Sequence, residues 1–99
     1  MNNKNILSNI GLCKKASKLV SGESMVLDSI KSSKSKIVLI ASDCEKNTYD
    51  RITKKCNYYK VEFKILEVDK FELGSAIGKN FRVCISIEDE GFKKMIRSD

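Results

Sequence analysis

Residues 37–41 read Ile-Val-Leu-Ile-Ala and form an uninterrupted apolar run between polar segments. A strand covered on one face alternates apolar and polar side chains, whereas a continuous apolar run is typical of a central strand covered on both faces. Such a strand needs a further layer of structure on each side of its sheet. The run therefore predicts a sheet enclosed between two layers of other elements.

The segments around this run alternate between helical and strand-like spacing of apolar residues. Helices are predicted over residues 4–16, 22–33, 46–59, 70–77 and around 92–96, and further strands at 19–20, 61–65 and 81–87. Asp69 and Glu72 have the spacing of a capping box, and Gly78 is a natural helix stop. Helices between successive strands imply crossovers and an α/β fold with a largely parallel or mixed sheet. The 99 residues fit a single domain, 1–99.

The positive charge of the chain is concentrated at its front. The formal net charge is +6 and the isoelectric point is near 9.2. Residues 1–36 contain seven lysines and two acidic residues, whereas residues 37–99 contain twelve basic and eleven acidic residues. A basic surface concentrated in one part of a chain suggests a binding face for a polyanion. The alternative is a solvated, lysine-rich surface without a partner.

Several classes of function have no signal in this sequence. No apolar run approaches the ~20 residues of a membrane span, and the amino terminus lacks a signal peptide's apolar core, so we expect a cytoplasmic protein. The four cysteines stand far apart and histidine is absent. Neither a metal, a cofactor nor a disulfide is therefore expected. Nucleotide-binding and nucleophile-elbow motifs are also missing, which argues against an enzyme.

The segment after the central strand carries two weaker signals. Asp43 begins a group of acids where a Mg²⁺ site can occur, although the preference of acids for helix N-termini explains them better. Cys44 lies near the same helix start, where the pKa of a thiol can fall. The other cysteines fall at or beside apolar positions and are interpreted as core residues: Cys13, Cys56 and Cys84.

The first candidate binding segment surrounds Gly22, at a predicted strand-to-helix junction. Ser21 or Ser24 can serve as the N-cap of the second helix. The N–H groups of a first helical turn can donate to phosphates or base edges. Nearby lysines can neutralise phosphates: Lys14, Lys15, Lys18, Lys31, Lys34 and Lys36. The alternative is an ordinary turn with scattered surface lysines.

The second candidate segment is Gly78-Lys79-Asn80-Phe81-Arg82. Asn80 offers both a donor and an acceptor to a base edge, and the two cations offer phosphate contacts. A plain helix stop followed by a loop explains the glycine equally well. In the third helix, Tyr58 can stack on bases, whereas Tyr59 lies on the apolar stripe and is interpreted as a core residue.

Four segments together resemble a known family: residues 11–23, 36–43, 56–59 and 72–79. The chain resembles the ribosomal-protein superfamily that binds kink-turn RNA, and within it the small bacterial YlxQ-like branch. The match covers nearly the whole chain. The resemblance implies a three-layer α/β/α sandwich with a mixed four-stranded sheet. It also implies that RNA binds at the start of the second helix and at the loop before the last strand.

Kink-turn binders of this family carry Gly, any residue, Asn and Glu at that helix start, and a Lys three residues later. Here Gly22 matches the glycine, but the other positions hold Ser24, Met25 and Asp28. Ser24 can still form one hydrogen bond, whereas Met25 cannot accept from a guanine edge. The resemblance therefore implies RNA binding in which phosphate contacts outweigh base selectivity.

The leading hypothesis is a non-catalytic, monomeric RNA-binding protein that associates with ribosomal or other structured RNA. Its predicted contact residues are Lys18, Ser21, Gly22, Glu23, Ser24, Lys31, Lys34, Lys79, Asn80 and Arg82. The alternative is a protein-interaction adaptor on the same fold, with Met25 and an exposed Val26 in an apolar patch. An enzyme, which would need close carboxylates around Asp43, comes third.

Overall fold

The computed structural model describes residues 3–98, which form a four-stranded sheet with helices on both faces. The helices are α1 (Asn3–Lys15), α2 (Glu23–Lys31), α3 (Lys46–Tyr59), α4 (Lys70–Ala76) and α5 (Glu90–Arg97). The strands are β1 (Leu19–Ser21), β2 (Ile37–Ile40), β3 (Glu62–Ile65) and β4 (Cys84–Ile87). The alternating order predicted from sequence is confirmed.

The strand order in the sheet is β1-β4-β2-β3. β4 pairs antiparallel with both β1 and β2, and β2 pairs parallel with β3. Ser21 therefore lies opposite Ile85, and Ile40 lies opposite both Cys84 and Ile65. We call this the upper end of the sheet, where β1, β2 and β3 finish and β4 begins. The lower end is where β4 finishes at Ile87.

The sheet is covered by a helical layer on each face. Ile37 and Leu39 belong to a core with α1, α4 and α5, whereas Val38 and Ile40 belong to a core with α2 and α3. Successive side chains of a strand point to opposite faces, so a strand that serves two cores must be apolar throughout. The predicted mixed α/β/α sandwich is therefore confirmed.

Two predicted core positions were wrong. The last strand was expected from Phe81, but β4 begins at Cys84 and the Phe81 side chain is 50% exposed. The N–H of Arg82 donates to the carbonyl of Lys70 in α4, which draws this segment away from the sheet. Tyr59 was expected in the core but is 39% exposed, because α3 ends at this residue.

Helix α4 holds the loop before β4 through caps at both of its ends. Asp69 and Glu72 form the predicted capping box. At the other end, Gly78 has a φ of 74°, and the N–H of Lys79 donates to the carbonyl of Gly74. The N–H of Gly78 also donates to the carbonyl of Ser75, which completes a Schellman motif. The loop therefore leaves α4 in a defined direction.

Gly74 lets this loop pack directly on the helix. A Cβ added at Gly74 would lie 2.5 Å from the Cα of Phe81. Because the neighbour is backbone rather than a flexible side chain, no rotamer change relieves that clash. The position is buried, so the loop and the helix touch without an intervening side chain.

We expect Gly74→Ala to destabilise the protein. Overpacking typically costs about 1–3 kcal/mol, and the better helix propensity of alanine offsets at most about 1 kcal/mol of that. The free energy of unfolding, measured by urea denaturation, should fall. Ser75→Ala, at the exposed neighbour on the same helix, is the matched control. A Gly74→Ala variant as stable as the parent would contradict the close packing of Phe81.

Candidate nucleic-acid interface

Helix α2 begins at the upper end of the sheet with Gly22 as its N-cap, at a φ of 90°. A side chain is strained at this φ, which explains a glycine here. The expected serine cap is wrong, because no side-chain hydrogen bond caps this helix. The N–H groups of its first turn therefore remain available to an external acceptor such as a phosphate.

The loop before β4 lies beside this helix start. The N–H of Gly22 donates to the carbonyl of Cys84 at 3.1 Å. The Nε of Arg82 donates to the Oγ of Ser21 at 3.0 Å, and its Nη1 donates to the carbonyl of Phe81 at 2.7 Å. These contacts join the two candidate segments into one surface, although they lie about sixty residues apart in sequence. We call this surface, residues 21–25 and 78–82, the upper rim.

Two exposed aromatic residues, Phe81 in the upper rim and Phe71 beside it, were not predicted from sequence as contact residues. Phe71 and Phe81 are 58% and 50% exposed, with ring centroids 6.3 Å apart. The Nζ of Lys70 lies 5.5 Å from the centroid of the Phe71 ring and 5.8 Å from that of Phe81. Phe81 was hidden by its place in an alternating pattern that resembles a strand. The group combines flat apolar faces with a positive charge, as nucleic-acid surfaces commonly do.

Glu23 is already engaged within the protein. Its carboxylate forms an ion pair with Arg51 of α3, including a 3.0 Å hydrogen bond from Nη2. The hydrogen bond from Arg51 lowers the pKa of Glu23, although partial desolvation opposes it. Thus Glu23, a predicted contact residue, is ionised and neutralised by Arg51. This pairing limits the negative charge that the helix start would present to a phosphate.

Three of the predicted lysines lie away from the upper rim. Lys18 is at the lower end of the sheet, where its carbonyl accepts the N–H of Glu88. Lys31 is the last residue of α2, about 12 Å of helix from Glu23. Lys34 precedes the lower end of β2, since the N–H of Lys36 donates to the carbonyl of Ile87. These lysines of the basic front therefore lie toward the lower end of the sheet, whereas the cations of the upper rim, Lys79 and Arg82, come from the second half of the sequence.

The exposed polar side chains of the upper rim are Ser24, Lys79 and Asn80. Arg82 is half-buried. Met25 is 52% exposed at the same helix start, whereas Val26 is fully buried in the core with α3. The proposed apolar patch therefore contains Met25 without Val26, because the helix turns the next side chain inward.

The weaker chemical signals of the sequence acquire structural explanations. Asp43 accepts a hydrogen bond from the N–H of Lys70 at 2.9 Å, so its carboxylate supports the start of α4. Cys44 does not have the lowered pKa that a thiol near a helix start can have. Desolvation raises the pKa of Cys44, and the nearby carboxylates of Glu23 and Asp43 raise it further. No group of three or more His, Cys, Asp or Glu side chains is placed to hold a metal ion within residues 3–98.

The other cysteines are buried, as predicted. Burial raises the pKa of Cys13 and Cys84 to about 12 and that of Cys56 to about 11. All four cysteines are free thiols. No helix in residues 3–98 is long and apolar enough to cross a membrane.

Comparison with known proteins places these features in a family. The model of the ribosomal protein L7Ae/L30e/S12e/Gadd45 family matches residues 4–96. RNA-binding protein YlxQ of Bacillus subtilis is 42% identical over 89 residues, which cover 90% of this chain and 88% of that protein. The large ribosomal subunit protein eL30 of Euphorbia esula is 34% identical over 96% of this chain and 86% of its own length.

Solved structures agree with the sequence comparisons. A protein of unknown function from Bacillus halodurans superposes with a TM-score of 0.88 at 31% identity, over 94% of this chain and 93% of its own. The Giardia lamblia 15.5kD RNA binding protein superposes with a TM-score of 0.82 at 16% identity, over 97% and 82%. This second likeness concerns the fold alone. With its whole sheet and both candidate segments inside the matched range, the chain belongs to the ribosomal protein L7Ae/L30e/S12e/Gadd45 family.

Proposed function

We propose that this protein is a non-catalytic RNA-binding protein whose upper rim docks structured RNA. One observation carries the proposal: a helix start without a side-chain cap is joined to a basic loop. The joining hydrogen bonds run from the N–H of Gly22 to the carbonyl of Cys84 and from the Nε of Arg82 to the Oγ of Ser21. The family match and the relatives named as RNA-binding and ribosomal proteins support it. The net charge of +6 also favours a polyanionic partner.

The residues of the upper rim have distinct roles in this proposal. The free N–H groups beginning at Glu23 donate to a phosphate, and Ser24 adds a hydroxyl beside them. Lys79 and Arg82 neutralise phosphates. Asn80 contacts a base edge or sugar, and the exposed ring of Phe81 offers a stacking surface.

The lysines at the lower end contribute differently. Lys18, Lys31 and Lys34 raise the local concentration of RNA through long-range attraction, and they contact RNA that extends beyond the rim. The protein acts as a cytoplasmic, monomeric component of a ribonucleoprotein, with residues 1–99 as its single RNA-binding domain. Its partner is a structured RNA such as ribosomal RNA.

Recognition is directed at the RNA backbone more than at kink-turn bases. The three positions where kink-turn binders carry Asn, Glu and Lys hold Ser24, Met25 and Asp28. Ser24 and Met25 are exposed at the helix start, so their own chemistry meets the RNA. Methionine cannot accept a hydrogen bond from a guanine edge, and aspartate repels a phosphate.

A second candidate function is that of a protein-interaction adaptor. The exposure of Met25 favours an adaptor: this apolar side chain is 52% exposed, and together with Val20 it lines a shallow pocket. In an adaptor, Met25→Ala would weaken partner binding, whereas removal of rim cations would not.

Removal of the exposed polar groups of the loop should weaken RNA binding. We expect Lys79→Ala with Asn80→Ala to lower affinity for a folded RNA and to reduce the slope of log affinity against log salt by about 1, for one lost phosphate contact. Filter binding across a salt series to a kink-turn RNA and to a mutated duplex measures both quantities. Lys94→Ala, in the last turn of α5, is the control. Absence of binding to either RNA at low salt would refute the proposed function.

Restoration of the family residues should create base selectivity. We expect the combined change Ser24→Asn, Met25→Glu and Asp28→Lys to raise the preference for a kink-turn RNA over its mutated duplex. One good base-edge contact contributes about 1–3 kcal/mol of discrimination, so the ratio of the two dissociation constants should rise at least fivefold. The same filter assay compares the two RNAs. An unchanged ratio would mean that the helix start does not meet the bases.

A further inference from the structure

A groove lies between α2 and α3, outside the upper rim. It has a volume of about 440 Å³ and is lined by Leu27, Arg51, Lys54, Lys55, Tyr58 and Tyr59. Five of these six residues come from one face of α3, at spacings of three, four, seven and eight residues from Arg51. We call it the α2–α3 groove. Its lining combines cations, aromatic rings and a single aliphatic side chain.

The aromatic part of the groove is open to solvent. Tyr58 is 79% exposed and Tyr59 is 39% exposed. Their ring centroids are 4.9 Å apart and their planes meet at 72°, in an edge-to-face arrangement. Tyr59 therefore supports Tyr58 from the side, and the broad exposure of Tyr58 leaves its ring accessible for stacking. An aromatic ring fixed in this way stacks a flat partner with little loss of side-chain entropy.

Two of the three cations of the groove form no ion pair among residues 3–98. Arg51 is held by Glu23, but neither Lys54 nor Lys55 forms an ion pair in the part of the chain that the structure describes. Each lies one helical turn before one of the tyrosines, since Lys54 precedes Tyr58 by four residues and Lys55 precedes Tyr59 by four. A partner along this face would thus meet positive charge and then aromatic surface.

Lys31, one of the predicted contact residues, lies beyond the lower end of the groove. Both α2 and α3 begin at the upper end of the sheet and run toward the lower end. Lys31 follows Leu27 by four residues, so it lies one turn further along the same face of α2. The positive surface therefore continues from the groove toward the lower end.

We propose that the α2–α3 groove binds an unpaired segment of RNA, with a base stacked on Tyr58 and phosphates beside Lys54 and Lys55. This extends the proposed function by a second contact that is separate from the upper rim. The last turn of a helix carries partial negative charge, so the phosphates belong beside the lysines and the uncharged base beside the tyrosines. A single strand presents a flat ring and regular negative charge together, whereas an acidic peptide complements only the lysines.

The test uses a fluorescent, unstructured twelve-nucleotide RNA of mixed adenosine and uridine, with binding followed by anisotropy. We expect Tyr58→Ala to weaken binding about tenfold or more, because base stacking on an aromatic side chain contributes that much per base. Tyr58→Phe keeps the ring and should bind as the parent does. Lys54→Ala with Lys55→Ala should reduce the salt slope by about 1.4, for two lost phosphate contacts on a single strand.

The matched control is Lys94→Ala with Arg97→Ala, which removes the same formal charge from the exposed last turn of α5, on the other face of the sheet. Circular dichroism establishes that each variant is folded; the exposure of Tyr58 makes its replacement mild. The proposal would be overturned if the control and the groove double variant lost equal salt slope and equal affinity for the oligonucleotide. Unchanged binding by Tyr58→Ala would also overturn it.

The proposals for the upper rim and for the α2–α3 groove can be refuted separately. Lys79→Ala with Asn80→Ala should weaken binding of folded RNA while leaving the oligonucleotide affinity within about twofold, since one phosphate contact on the rim is not shared with the groove. Binding of folded RNA without any binding of the oligonucleotide at low salt would overturn the groove alone. Binding of polyglutamate without the oligonucleotide would assign the groove to an acidic protein. If neither the folded RNA nor the oligonucleotide binds at low salt, the proposed function is refuted as well.

Discussion

The antiparallel pairing of β2 with β4 is the interaction on which the rest of the structure depends. Every residue of both strands is buried, and alternate side chains enter the two opposite cores. Burial of each large aliphatic side chain contributes about 1.5–3 kcal/mol, so this pair organises most of the apolar interior. Both helical layers and both outer strands attach to it, which means that their positions follow from its register.

One polar residue interrupts this pair and ties α2 to it. Ser86 of β4 is fully buried, and its hydroxyl lies 2.8 Å from that of Ser29 and 2.7 Å from that of Ser35. Ser29 in turn donates to Glu88 at 2.6 Å. A buried hydroxyl without a partner would be costly, so these bonds favour one placement of α2 over the sheet. The start of α2 forms the upper rim and its outer face forms one wall of the groove.

The direction of β4 connects the fold to the proposed binding surfaces. Because β4 runs against both of its neighbours, the loop that enters it reaches the same end of the sheet as the loop that leaves β1. Arg82 can therefore bond to Ser21. The same geometry sends Lys31 to the opposite end, along the α2–α3 groove. The cations of the two proposed surfaces therefore come from the second half of the sequence: Lys79 and Arg82 at the upper rim, and Lys54 and Lys55 in the groove. For these surfaces we propose a folded and an unpaired part of an RNA partner.

The sequence by itself determined the features that depend on neighbouring residues. The continuous apolar run identified the central strand, helical spacing located α3 at residues 46–59, and the Asp69–Glu72 pair marked the start of α4. These signals are local, because caps, turns and amphipathic faces act over a few residues. They also located both segments of the upper rim, and the family resemblance added the architecture of the sheet.

Only the tertiary structure decided which of these residues share a surface. Local periodicity left the sheet as parallel or mixed, and the direction of β4 determines whether the loops at Gly22 and Arg82 meet. Phe81 alternates like a strand residue, yet its backbone packs on Gly74 of the preceding helix, a contact that the spacing of apolar residues does not reveal. Tyr59 fits the apolar stripe of α3 but lies where the helix ends and coverage by the sheet stops. Exposure and proximity at these positions depend on how whole elements pack, because contacts such as that of Arg82 with Ser21 join segments that are far apart in the chain.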